Sequence, residues 1–271
     1  MFQKRLTTTY INFSTFRIVE YLGVDNENVI SNFYKNKPKN KDNYSPSVAY
    51  IIPSYQRIFK YREICKLLGI QIDNACIYEL VNQIEDSKIS SDDYYFKSLL
   101  SKKMADIDMR SNKKQIENLI QKASYTEITS GNFFNFFYLV KTAMLNNIEC
   151  KDIIKKILDF KNTQNYLIVD ICKEEIRKLN NPFKVFSDDF ESKILIYDGE
   201  SPIDVYYYYF VYLETINKKP SERVKEKVLL AIDDFYVEND QGAGYFRNEE
   251  FKYIDINMTY QCLYIEYICN K

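Results

Sequence analysis

Apolar positions along the chain recur with a helical period. From Ser221 to Tyr236 the residues Val224, Val228, Ala231, Ile232 and Phe235 fall at i, i+4, i+7, i+8 and i+11, on one face of a helix. Pro220 precedes this stretch, Ser221 is placed to cap it, and Glu222 suits the positive end of the helix dipole. The segment before it is different. Ile203 to Ile216 reads Ile-Asp-Val-Tyr-Tyr-Tyr-Tyr-Phe-Val-Tyr-Leu-Glu-Thr-Ile, apolar or aromatic nearly all round. A helix of that kind must be buried on most sides. An all-round apolar helix, a short turn and an amphipathic helix make one inner–outer hairpin.

The same unit recurs. Thr9 to Leu22 ends at Leu22-Gly23, and Val24-Asp25 opens a second helix carrying Val29, Ile30 and Phe33. Pro53 to Leu68 ends at Leu68-Gly69, and Asp73 opens a second helix through Ile77, Leu80, Val81 and Ile84. In both, glycine suits the left-handed C-terminal residue and aspartate the next N-cap. Further aromatic-led inner helices start near Tyr94, Phe133, Tyr166, Tyr206 and Tyr260, and Asn180-Asn181-Pro182 stops the one from Tyr166. Spacings of roughly 30 to 55 residues belong to helical-hairpin repeats. No Ser/Gly/Pro-rich linker divides the chain, so residues 1–271 read as a single all-α domain of about six hairpins. Such hairpins close into an α/α toroid or stack into an open solenoid. Apolar and aromatic helices at both ends, Thr9 to Leu22 and Asn257 to Cys269, favour closure.

Composition narrows the functional classes. Six Gly and six Pro are too few for the turns of an all-β sandwich or barrel. With 46% hydrophobic and 28% charged residues the profile is globular. A net charge of −1 gives no general footprint for nucleic acid, and the basic run from Lys35 to Lys41 reads as a solvated loop. No stretch approaches the roughly 20 uncharged apolar residues of a membrane helix, and nothing near Met1 reads as a secretion signal. The expected compartment is the cytoplasm, where the six cysteines, none in a Cys-x-x-Cys pair, would be reduced. The chain has no His. That removes Ser–His and Cys–His dyads, leaving acid–base work to Asp, Glu, Lys or Tyr. Gly242-Ala243-Gly244 lacks the remainder of a dinucleotide fingerprint.

The C-terminal stretch is the most distinctive. Gln241-Gly242-Ala243-Gly244-Tyr245-Phe246 forms a glycine-rich turn with aromatics, and Asp255-Ile256-Asn257-Met258-Thr259-Tyr260-Gln261-Cys262-Leu263 opens an inner helix. Thr9-Tyr10 echoes the Thr-Tyr pair. This resembles the repeat of the prenyltransferase and squalene–terpene cyclase superfamily, whose fold is the α/α toroid. The likeness covers about 25 residues closely.

The chemistry that this resemblance implies is mostly missing. Prenyltransferases hold zinc through an Asp, a Cys and a His just before the Thr; Met258 stands at that position, and thioether is a poor zinc ligand. No metal or cofactor is therefore expected. The Asp-x-Asp-Asp acid of squalene-type cyclases has no counterpart. Asp106-Ile107-Asp108 comes nearest in spacing, while Asp92-Asp93 and Asp233-Asp234 read as a helix N-terminus and an exposed face. Asp188-Asp189-Phe190-Glu191 does not extend into a magnesium motif. If the chain is an enzyme, Asp255 and Asp106 are the candidate acids. In cyclases inward-facing aromatics line a cavity, and Tyr95, Phe134, Phe137, Tyr207, Tyr245 and Tyr260 are the candidates for that role here. The leading expectation is a binding or accessory protein for an apolar small molecule or a peptide. The alternatives are a metal-independent cyclase or isoprenoid-transfer enzyme and a helical-repeat adaptor for another protein.

Overall fold

The computed structural model describes residues 54–67, 74–82, 84, 89–104, 112–161, 167–182, 190–239, 242–245 and 255–271. Thr9 to Leu22 with the helix after it, the Lys35–Lys41 run, Asp106-Ile107-Asp108 and Asp188-Asp189 lie outside them. Among the described residues there are eleven helices: α1 (Tyr55–Leu67), α2 (Asn74–Asn82), α3 (Ser91–Lys103), α4 (Lys113–Tyr125), α5 (Phe133–Leu145), α6 (Lys151–Asp159), α7 (Leu167–Asn180), α8 (Phe190–Ile196), α9 (Pro202–Thr215), α10 (Glu222–Asp234) and α11 (Ile256–Asn270). The fold is all-helical apart from one short antiparallel pair, β1 (Tyr236–Asn239) and β2 (Gly242–Tyr245). The glycines expected to form a turn lie instead in β2, where Gly244 faces Val237 and Gly242 faces Asn239. The ladder pairs backbone groups that glycine side chains could not satisfy.

Leu68-Gly69 and Asp73, expected to end one helix and open the next, lie outside the described residues, while the starts of α3 and α10 follow the sequence. Ser221 Oγ accepts from Val224 N at 3.4 Å at the start of α10, and Val224, Val228 and Ile232 form its buried stripe. Ser90 caps α3, with Asp92 and Asp93 in the first turn at the positive end of the dipole. α5 and α9 end without glycine. Asn147 and Asn217 take left-handed conformations (φ 54° each), and the next residues close 6→1 bonds, Ile148 N to Ala143 O and Lys218 N to Leu213 O, both 2.9 Å. Asparagine tolerates this region better than most residues.

The described residues group into two compact units. In the first, α1 packs along α11, α2 against α1, and β2 against α11. α11 is buried nearly all round, from Ile256 through Cys269. Asp255 caps it, with Oδ1 accepting from Met258 N at 2.7 Å. The buried Lys60 of α1 reaches Asn257 Oδ1 at 2.9 Å, so even its ammonium is partnered.

The second unit runs from α3 through α9 into α10 as far as Val228. Its inner helices pack in chain order, α3 on α5, α5 on α7 and α7 on α9. The amphipathic α4 and α6 lie on α5 and on each other. Phe133, Phe137, Val140, Ala143, Ile153, Ile157, Cys172 and Ile176 lie at the centre of this core. Lysines complete the ends of outer helices. Lys156 of α6 donates to Ser124 O (2.5 Å), Thr126 O (2.9 Å) and Ala123 O (3.4 Å) at the end of α4. Lys227 of α10 donates to Leu195 O and Tyr197 O (2.8 and 2.7 Å) at the end of α8. Lys173 of α7 donates to Phe160 O beyond α6. Each ammonium meets carbonyls at or just beyond a helix C-terminus, the negative end of a dipole.

Lys156→Met keeps the apolar stem of the side chain and deletes those bonds. It is expected to destabilise the protein by about 1–3 kcal/mol, read as a lower urea midpoint at unchanged slope.

Candidate functional site

One inner helix of the second unit, α5, carries a single charge. α5 reads Phe-Phe-Asn-Phe-Phe-Tyr-Leu-Val-Lys-Thr-Ala-Met-Leu, and Lys141 is its one ionisable cation. Leu139, Val140, Thr142 and Ala143 beside it are all buried, and Lys141 itself is 9% exposed. An ammonium in that position needs a counter-charge, because removing it from water costs several kcal/mol. α7 supplies one. Glu175, 2% exposed, accepts from Lys141 Nζ through Oε1 at 2.6 Å.

Aromatic rings close around the pair. Lys141 Nζ stands 4.9 Å from the centroid of Tyr95 on α3 and 5.1 Å from that of Phe137 on α5, both within cation–π range. Tyr138 packs on Tyr95 and Phe137, at 5.4 Å in each case. Its hydroxyl meets that of Tyr208 on α9 at 2.7 Å. Tyr208 in turn packs against Phe134 (5.5 Å), Phe137 (6.0 Å) and Tyr207 (5.4 Å). Four of the aromatics picked out by the sequence, Tyr95, Phe134, Phe137 and Tyr207, are thus joined in one cluster drawn from three helices. Phe137 is wholly buried, whereas Tyr95, Phe134, Tyr138, Tyr207 and Tyr208 keep part of their surface exposed. The cluster is a partly open aromatic face over a buried ion pair.

The remaining two do other work, in the first unit. Tyr245 is buried and fastens β2 to α11: its hydroxyl donates to Glu266 Oε1, its N–H to Thr259 Oγ1 at 3.3 Å, and its carbonyl accepts from Asp255 N at 2.9 Å. Tyr260 packs against Phe59 and Tyr264 at 6.4 and 6.1 Å. The carboxylate of Asp255 is engaged as the N-cap of α11. Asp106 lies outside the described residues.

Protonation in the aromatic cluster is locked. Burial pushes the Tyr138 and Tyr208 hydroxyls well above the usual tyrosine range; Tyr207 adds to the effect on both, while the hydrogen bond with Tyr208 partly offsets it for Tyr138. Burial likewise raises the Cys172 thiol, with Glu175 contributing. Burial lowers the Lys141 ammonium, but Glu175 and Tyr95 outweigh it and hold it well above the ordinary lysine range. General acid–base catalysis is most effective when a group titrates near the working pH. The two hydroxyls, the thiol and the ammonium all stay protonated there. What they offer is fixed shape, aromatic faces and hydrogen bonds.

Cys65, Cys150, Cys172, Cys262 and Cys269 are buried. Cys150, in a recess between α4 and α6 lined by Ile120, Gln121, Ser124 and Ile153, has its thiol pushed up to about 11 by burial. Among the described residues no group of three or more Cys, Asp and Glu is placed to hold a metal ion, and no helix is long and apolar enough to cross a membrane. No family model, curated protein or solved structure matches the chain.

The residues that reasoning from sequence passed over are Tyr138, Lys141, Cys172 and Glu175. A usable signal was present for Lys141, a lone charge between Val140 and Thr142 in an apolar helix. Nothing in α7 marked Glu175 as its partner, since Glu174 and Glu175 stand together there and only packing separates their roles. Glu174 pairs with Arg177 of its own helix.

Lys141→Met alone strands the Glu175 carboxylate and is expected to cost about 3–5 kcal/mol, whereas Lys141→Met with Glu175→Met should lie within about 1 kcal/mol of the native protein or above it; urea unfolding of the three proteins compares them. The pH dependence has a definite sign. Lys141, Tyr138, Tyr208 and Cys172 all hold their protons more tightly when folded. The folded state therefore binds more protons at alkaline pH, and stability falls as pH rises past the unfolded values of about 8.5 for Cys and about 10 for Tyr and Lys. Urea midpoints at pH 8 to 11 should fall, with a shallower decline in Tyr138→Phe/Tyr208→Phe.

Proposed function

We propose that this chain is a binding protein that holds an apolar small molecule or an apolar peptide segment against the aromatic face of Tyr95, Phe134 and Tyr207. The observation that carries this reading is the partial exposure of five linked aromatics, from α3, α5 and α9, over groups locked in one protonation state. Rings that served only as core would be expected to close over completely, as Phe133 and Phe137 do. Rings that served acid–base chemistry would be accompanied by a group able to exchange a proton near neutral pH. On this reading the chain is a cyclase- or prenyltransferase-like toroid that keeps aromatic inner helices and works by binding. Among the described residues an adaptor role draws on single exposed apolar residues such as Tyr125 and Ile196, 85% and 80% exposed, and such residues are ordinary on a protein surface.

Native mass spectrometry of freshly purified protein, followed by solvent extraction, tests the proposal. An apolar molecule is expected to accompany the native protein and to be missing from a Phe134→Ala/Tyr207→Ala variant that retains its helical circular dichroism. A native protein that carries nothing and binds no added anilinonaphthalene sulfonate would overturn it.

A further inference from the structure

The buried ion pair is incomplete in one respect. Glu175 is 2% exposed, and while Oε1 accepts from Lys141, Oε2 is fully buried with no hydrogen-bond partner among the described residues. A buried carboxylate oxygen without a donor costs several kcal/mol, so an orphan of this kind calls for a donor beyond the described residues. Its surroundings determine what that partner can be. The Glu175 charge is already balanced by Lys141, and the Lys141 ammonium occupies the space over the Tyr95 and Phe137 rings. A second cation would stand beside that ammonium and be repelled. An anion would meet the carboxylate itself. A neutral O–H group satisfies Oε2 at no charge cost, and the apolar body attached to it would lie against Phe134, Tyr207 and Tyr208, partly exposed rings linked to the pair through Phe137.

We infer that the ligand of this site is an uncharged apolar alcohol, its hydroxyl donating to Glu175 Oε2 and its hydrocarbon portion resting on Phe134, Tyr207 and Tyr208. The inference rests on the binding role of the aromatic face and adds the chemistry of the ligand's polar end. Glu175 is the specificity determinant, Lys141 positions its carboxylate, and the rings supply affinity that does not depend on the hydroxyl.

Matched probes separate the two contributions. 1-Dodecanol and its methyl ether share a chain and differ in the O–H donor; their affinities are measured by displacement of anilinonaphthalene sulfonate from the whole protein. The native protein is expected to favour the alcohol by about tenfold or more, the worth of a hydrogen bond to a charged group. That preference should vanish in Lys141→Met/Glu175→Met, a replacement of the pair by apolar residues of similar volume that keeps the core filled. Glu175→Gln provides a second test: its amide retains one carbonyl acceptor, and the preference should shrink without vanishing. Equal binding of alcohol and ether to the native protein would overturn the inference while leaving the binding site standing. A preference that survives in the double variant would also overturn it, by placing the acceptor elsewhere. If neither probe binds, or if Phe134→Ala/Tyr207→Ala weakens neither, the aromatic site fails and the inference with it.

Discussion

The second unit is organised by the need to keep one ammonium charged inside an apolar helix. Lys141 sits at the centre of α5, which packs on α3, α4, α6 and α7. Its solvation has to be replaced from every side. Glu175 supplies the counter-charge from α7, Tyr95 and Phe137 supply ring faces, and the Tyr138–Tyr208 hydroxyl pair ties α5 to α9 beside it. A change of register in any of these helices would separate a buried charge from its partner. The pair thus specifies one arrangement of the inner helices, even though an apolar pair of similar volume could match it in stability.

The same accounting for polar groups extends to the helix ends. With only six glycines, the chain cannot end each helix on a left-handed glycine. Asn147 and Asn217 take that conformation in two places, and lysines from later helices reach back to the ends of α4, α6 and α8. This use of lysine gives the abundant Lys of the sequence a structural meaning. It also couples neighbouring helices: the ammonium that satisfies one helix end belongs to a different helix, so the two must dock together for either to be complete.

The first unit gives the C-terminal residues singled out in the sequence structural work. Asp255 and Tyr245 stand out in the sequence for their likeness to a cyclase repeat. In the fold Asp255 caps α11, and Tyr245 joins the short strand pair to that helix through Thr259 and Glu266. Both uses follow from the needs of a long buried helix, whose first N–H groups require acceptors and whose buried Glu266 requires a donor. Met258 lies buried within the helix, filling space.

Helix identity and limits were written in the sequence, because they depend on interactions within a turn or two. Periodicity marked α10, the all-round apolar run marked α9, Pro182 marked the end of α7, Asp92-Asp93 marked the start of α3 and Ser221 marked a cap. That inner helices would be rich in buried aromatics was legible for the same reason, and Tyr95, Phe134, Phe137 and Tyr207 were found by it. Two things depended on contacts between residues far apart in the chain. One was the pairing of Lys141 with Glu175 and of Tyr138 with Tyr208, separated by 34 and 70 positions. The other was the division of the six aromatic candidates between two units, which placed Tyr245 and Tyr260 in packing around α11. A one-dimensional pattern says which face of a helix must be covered, and only tertiary packing decides which residue covers it.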